Sequence, residues 1–307
     1  MIHRQPLSVP SSDGIHTLQG WVYVPNVPPC GLFQVVHGMT EHIGRYHRFM
    51  TDMAEQGWIC FGCDNLGHGN SVLRAEEHGY IAPKDGWLLL ARDVGEVANA
   101  VKRAYHAESR PYCLMGHSMG SFIVRLAAVR LQTPDKLIVM GTGGPNGAVG
   151  AGLALISLLK VLYSDRHVSP LIDQIAFGGY NKRFGGGSEE DPKPWLTRDE
   201  AVRRAYYADP FCTFPFTVSA MGDLIRLIRE VNRPAWFRSL PKEMPVLLVS
   251  GENDPVGNYG KGVKQVADIL EREHGSVSCI LYPDVRHEIL NDTSYEAVLS
   301  DILAFSK

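Results

Sequence analysis

A serine hydroxyl acts as a nucleophile only when a base takes its proton and donors stabilise the charge formed on the attacked carbonyl. Ser118 stands in Gly116-His117-Ser118-Met119-Gly120, after an apolar run at 112–115 and before a helix-compatible stretch at 122–131. Gly-x-Ser-x-Gly between strand and helix predicts a tight turn that lifts the serine clear of a sheet, at the positive end of the next helix. Glycines at 116 and 120 leave room where the strand and helix backbones close on each other.

In this arrangement the acid and then the histidine follow the serine along the chain. Residues 245–251 read as a buried strand, and Glu252-Asn253-Asp254-Pro255-Val256-Gly257 as its exit loop. A further strand at 277–282 leads into Pro283-Asp284-Val285-Arg286-His287-Glu288. His287 is the expected base and Asp254 the carboxylate that orients it, both just past strand ends. Glu252 and Asp284 are the alternatives to Asp254, and Asp254-Pro255 also reads simply as a turn. Among the twelve histidines, His117 should point away from Ser118, while His37 and His68 should shape glycine-rich loops. The oxyanion donors are expected to be the backbone amides of Met119 and Met39. Gly38 allows the chain after the 32–36 strand to turn the Met39 amide inward.

These loops need a frame. Short apolar runs alternate with amphipathic stretches: an opening hairpin (7–9 and 17–24), strands at 32–36, 59–63, 112–115, 137–140, 246–250 and 277–282. Helices are expected near 46–56, 86–106, 122–131, 260–273 and 295–305. Repeated strand–helix units predict an α/β fold, a doubly wound sheet with its ligands at the carboxyl ends of the strands. Between Met140 and Val246 the alternation fails for about a hundred residues, far beyond an ordinary connection. An inserted cap is expected at 145–240, on a core made of 1–144 and 241–307. Residues 148–162 are apolar on nearly every side, which predicts a helix buried under the cap, lining for an acyl pocket, or a lipid-touching surface, in that order of preference. Leu155, Leu159 and Phe214 are candidate substrate contacts; Phe211, Phe216, Trp195 and Trp236 either wall the pocket or pack the cap. The stretch 182–191 reads as an exposed loop.

Four segments carry a family resemblance: His37-Gly38-Met39-Thr40-Glu41-His42 with Arg45-Tyr46, Asp64 to Ser71, the Ser118 turn, and Gly251 to Gly257 with Arg286-His287-Glu288. Through them the chain resembles an α/β-hydrolase of the monoacylglycerol lipase and lysophospholipase-like branch, also called serine aminopeptidase-like. The resemblance implies a mostly parallel eight-stranded sheet with helices on both faces, the cap following strand 6, the triad Ser118, Asp254 and His287, and no metal or organic cofactor. The expected activity is hydrolysis of a carboxylic ester with an apolar acyl group through an acyl-enzyme on Ser118. A monoacylglycerol headgroup follows from the resemblance alone. An aminopeptidase or amidase with the same triad would need a cap carboxylate for the substrate amine, from Glu189, Glu190, Asp191, Asp199 or Glu200. A non-catalytic ligand-binding member of the fold is the other alternative. Epoxide hydrolase and dehalogenase chemistry would put aspartate where Ser118 stands.

With 307 residues, 45% hydrophobic and 21% charged, the chain can bury a large core, and its net charge of −3 points to no nucleic-acid or anionic-lipid partner. Its beginning lacks the apolar core of a signal peptide and no run reaches membrane-span length, so a cytoplasmic location and at most transient lipid contact are expected. The six cysteines read as reduced and structural. Cys60, Cys113 and Cys279 lie in apolar strand runs, and in Cys60-Phe61-Gly62-Cys63 the two thiols should face opposite sides of a strand.

Overall fold

The computed structural model describes residues 2–131 and 133–307. Strands β1 (His3–Pro10) and β2 (Thr17–Val24) form the opening hairpin. They are followed by β3 (Gly31–Val36), α1 (His47–Glu55), β4 (Trp58–Cys63), α2 (Gly86–Ala104), β5 (Tyr112–His117), α3 (Met119–Arg130) and β6 (Lys136–Met140). Five helices then intervene: α4 (Val149–Leu162), α5 (Pro170–Phe177), α6 (Glu200–Ala208), α7 (Val218–Val231) and α8 (Pro234–Ser239). The chain returns through β7 (Val246–Gly251), α9 (Lys261–Glu273), β8 (Val277–Tyr282) and α10 (Tyr295–Ser306).

The eight strands form one sheet in the order β1-β2-β4-β3-β5-β6-β7-β8. Only β1–β2 and β2–β4 pair antiparallel; from β4 through β8 every neighbour is parallel. A parallel strand is covered on both faces, so its run is apolar throughout and its residues divide by parity. Leu114 of β5 and Leu248 of β7 pack on one side with α2, α3, α7, α8 and α9. Cys113, Met115, Leu247 and Val249 pack on the other with α1 and α10. Cys60 and Cys63 fall on opposite faces by the same rule, and all six cysteines are unpaired. Cys279 is exposed rather than buried, because β8 is the sheet's last strand, where Ser278 and Cys279 are both exposed.

The helix expected at 148–162 forms, but it is not a buried helix. Only Ile156 and Leu159 of α4 are buried, whereas Leu158, Val161 and Leu162 are exposed, Val161 to 85 %. One face of α4 packs on α7, another borders a cavity, and the third is exposed. No helix among the described residues is long and apolar enough to cross a membrane.

Candidate active site

The turn after β5 puts Ser118 at φ 54°, ψ −119°, a backbone conformation that L-residues rarely adopt. Both flanking glycines are required sterically: a Cβ on Gly116 would lie 2.2 Å from the Gly120 carbonyl oxygen, and one on Gly120 the same distance from that of Val36. The Ser118 amide donates to the Met140 carbonyl at 3.0 Å, which ties the turn to β6. Met119 begins α3, where the first amides of a helix have no intrahelical acceptor.

Asp254 and His287 meet across the ends of β7 and β8. His287 Nδ1 donates to Asp254 Oδ2 at 2.9 Å, and both residues are buried. The remaining carboxylate valences are filled by the Ser250 hydroxyl at 3.1 Å and the Val256 amide at 2.8 Å. Asp254 is therefore fixed at both oxygens, and its partner ring has a single tautomer that satisfies the bond. Glu252 and Asp284 are exposed on the same two loops, and neither reaches the imidazole. His287 and Ser118 border one cavity, together with Met39 and Met119.

The loop after β3 is pinned by side chains that leave one amide over. The Gly38 amide donates to Glu41 Oε1 at 2.5 Å and the Thr40 amide to His68 Nε2 at 3.4 Å. Among the described residues the Met39 amide meets no acceptor. Gly38 also lets the loop lie against the nucleophile's residue, since a Cβ there would stand 2.9 Å from Ser118 Cβ. His37 accepts the Asn65 amide at Nε2 (2.8 Å) and donates from Nδ1 to the Gly38 carbonyl (2.8 Å). Burial pushes His37 below its ordinary pKa, and pushes His68 down to about 3 with the help of neighbouring His37. Both stay neutral and shape the loops.

Sequence reasoning assigned no role to the network beneath this site. Arg45 donates to both oxygens of Glu288, at 2.6 and 2.7 Å, and to Glu41 at 3.2 Å. Glu41 also takes the Tyr46 hydroxyl at 2.9 Å and approaches His117 Nδ1 at 3.1 Å. The His117 ring meets Tyr46 and Glu41 at Nδ1 and lies 4.7 Å from the ring of His287. Burial opposes charge on both groups, yet the hydrogen bond and charge they exchange hold Glu41 well below the carboxylate range and raise His117. The i,i+4 spacing of Glu41 and Arg45 was the available signal; Glu288, 243 residues beyond Arg45, carried none.

The cavity measures about 1150 Å³. Its lining includes Leu155 and Ile156 of α4, Ile172 and Phe177 of α5, Phe214, Phe216, Trp195, and Met221 and Leu224 of α7. Leu155 and Phe214 thus face it, whereas Leu159 does not: it packs inward with the core. Trp236 is also core, donating to the Arg125 carbonyl at 2.6 Å, and Phe211 lies between His42 and His78. Residues 184–190 are largely exposed. Polar residues not foreseen line the cavity as well, among them Asp173, Lys193 and Tyr206.

A parallel sheet of this order, with a serine on a strained strand-to-helix turn and an imidazole–carboxylate pair beside it, defines an α/β-hydrolase. The chain belongs to the serine aminopeptidase S33 family, whose model matches residues 27–294. It is a carboxylic ester hydrolase of that family's monoacylglycerol-lipase-like branch. It is 24% identical over 292 residues to a monoacylglycerol lipase of Mycolicibacterium smegmatis, covering 92% of this chain and 90% of that one. It is 29% identical to human monoglyceride lipase, over 82% of this chain and 76% of the human one. In three dimensions it is similar to a thermostable carboxyl esterase from Bacillus coagulans, solved in complex with glycerol, with a TM-score of 0.90, 27% identity and full coverage of both chains.

Proposed function

We propose that the protein hydrolyses carboxylic esters with an apolar acyl group, monoacylglycerols or related small lipid esters, through an acyl-enzyme on Ser118. The observation that carries this reading is a His287 imidazole held at Nδ1 by buried Asp254, on the wall of the cavity that Ser118 also borders. In this mechanism His287 takes the Ser118 proton as the hydroxyl oxygen attacks the ester carbonyl. The oxyanion rests on the Met39 and Met119 amides, each worth about 2.7–4 kcal/mol in the transition state. His287 then protonates the departing alcohol, and a water that it activates releases the acid and restores Ser118. Residues 145–240 act as the cap, and Leu155, Ile156, Phe214 and Met221 receive the chain. The glycerol complex of the Bacillus coagulans esterase and the names of the lipase relatives support a glycerol-type alcohol.

The bare outer face of the cap fits transient contact with a lipid surface: Ile175, 65 % exposed, also borders the cavity, so apolar surface runs from outside to inside at its rim. The aminopeptidase alternative finds little support in the carboxylates foreseen for it. Glu189 and Glu190 are exposed, Asp191 pairs with Arg203, Asp199 caps α6 and Glu200 lies 3.6 Å from Arg204. None of them lines the cavity, where Asp173 is the cap's only carboxylate among the described residues.

The deciding experiment is Ser118→Ala assayed on a nitrophenyl ester, with a fluorophosphonate label on the parent. The parent should label at Ser118 and the variant should be inactive but folded; residual activity within tenfold of the parent ends the assignment. Aminoacyl arylamides run beside esters of matched size should be poor substrates.

A further inference from the structure

Residues 193–196 run along the loop that carries His287. The His287 amide approaches the Trp195 carbonyl at 3.4 Å, and the Glu288 amide donates to the Leu196 carbonyl at 2.7 Å. The Trp195 ring lies 5.2 Å from the imidazole. Lys193 therefore stands on the base's side of the cavity, where the alcohol leaves. Its Nζ donates to the Tyr206 hydroxyl at 3.2 Å. That hydroxyl lies 2.9 Å from both Thr40 Oγ1 and the Thr40 carbonyl oxygen, one residue past Met39. The ammonium is thus placed between the loop that offers the oxyanion amide and the loop that offers the base.

Among the described residues Lys193 has no direct counter-ion. Glu288 and Asp173 act on it through space, but both Glu288 oxygens are engaged by Arg45. Among the described residues no carboxylate oxygen lies within ion-pair distance of Nζ. Burial accordingly pushes the lysine below its ordinary pKa. An ammonium partly stripped of water and left without an anion is costly to keep, and a ligand that supplies the anion recovers that cost. The cavity lining contributed by α4 and α7 is dominated by apolar side chains, so it suits the acyl chain and leaves the cation for the alcohol portion.

We propose that Lys193 is a specificity-determining residue that binds an anionic group, phosphate or carboxylate, on the alcohol portion of the ester. Among the lipid esters proposed above, those whose alcohol carries such a group are then favoured over monoacylglycerols and simple alkyl esters. This rests on the ester-hydrolase reading of Ser118 and His287. The contact exists before and during the reaction, so it acts through KM more than kcat.

The test compares three short-chain substrates: 1-octanoylglycerol 3-phosphate, 1-octanoylglycerol and methyl octanoate. The parent should show kcat/KM for the phosphate at least about tenfold above that for the methyl ester, mostly in KM. Lys193→Met should lower that ratio at least about tenfold, while Lys193→Arg keeps most of it. If Lys193→Met melts early, Lys193→Gln and competition by free glycerol 3-phosphate against methyl octanoate take its place. Equal use of the phosphate and methyl esters by the parent overturns the proposal, as does a ratio unchanged in the variants. Turnover of methyl octanoate without a phosphate preference removes only the role of Lys193. No turnover of any ester, with no fluorophosphonate label on Ser118, removes the hydrolase reading and this inference with it.

Discussion

The floor and the roof of the cavity hold their residues in different ways. On the floor, Ser118, Asp254 and His287 stand at the ends of β5, β7 and β8, and backbone contacts leave almost no freedom: an added Cβ at Gly120 or Gly251 would come within 2.2 Å of a carbonyl oxygen. On the roof, α4 and α5 together bury only Ile156, Leu159 and Ile172, while Leu158, Val161, Leu171 and Ile175 stay exposed. Proton transfer tolerates little misplacement, and a flexible acyl chain tolerates a good deal. The floor therefore suits chemistry and the roof suits recognition, and substitutions on the two sides should fail differently.

The largest effects belong to the floor. Ser118→Ala should lower kcat about 10⁴-fold or more with little change in melting temperature. Asp254→Asn should lower it about 10³–10⁴-fold, since the amide favours the wrong tautomer of His287. Steady-state kinetics on a soluble nitrophenyl ester measure both; a shift in KM with kcat intact would contradict the division. Glu41→Gln tests how far the floor extends. It removes charge from the group that holds the Gly38 amide, Tyr46 and His117, so kcat should fall about 10–100-fold with KM nearly unchanged.

Roof substitutions should move selectivity instead. Phe214→Ala or Leu155→Ala removes apolar wall from the cavity and should cost about 1–2 kcal/mol of long-chain binding, roughly tenfold in kcat/KM. Short-chain esters should be much less affected, so the profile across an ester series is the readout; a uniform loss across all lengths would show that these side chains support the floor. Val161→Asp should leave soluble-ester kinetics alone and reduce vesicle-bound turnover a few-fold, because that side chain is 85 % exposed and does not line the cavity.

The same contrast explains what could be read from sequence. The floor announces itself locally: β5 and β7 are mostly apolar and buried throughout, with Gly116 and Gly251 at their ends, and the loop after β8 opens on Pro283-Asp284. The Ser118 turn and the Asp254 and His287 loops were legible for that reason. Glu41, Arg45 and Glu288 lay inside recognised segments, yet their joining depends on two loops 243 residues apart meeting in space. The roof gave weaker signals. An all-round apolar α4 has no preferred face, so nothing distinguished a buried helix from one with a bare side. Lys193 sits in an irregular stretch between prolines, where neither periodicity nor a motif says which way a side chain points.

The seam between roof and floor allows a smaller test. Asp223 of α7 is buried against the start of α2, where a Cβ on Gly86 would come within 2.5 Å of its Oδ2. Among the described residues its Oδ1 has no hydrogen-bond partner. Burial pushes its pKa up to about 6, against the opposing pull of the Trp87 amide and of Arg226. A carboxyl whose folded pKa exceeds its unfolded value stabilises the fold fully below about pH 4, and that contribution is lost as pH rises through about 6. Asp223→Asn keeps the neutral form at every pH. It should match the parent near pH 4 and exceed it by about 1–3 kcal/mol above pH 7, a few degrees in melting temperature. If the two melting curves stay parallel from pH 4 to 8, the ionised carboxylate is accommodated at the seam, and Asp223 gives the join of roof and floor no pH dependence.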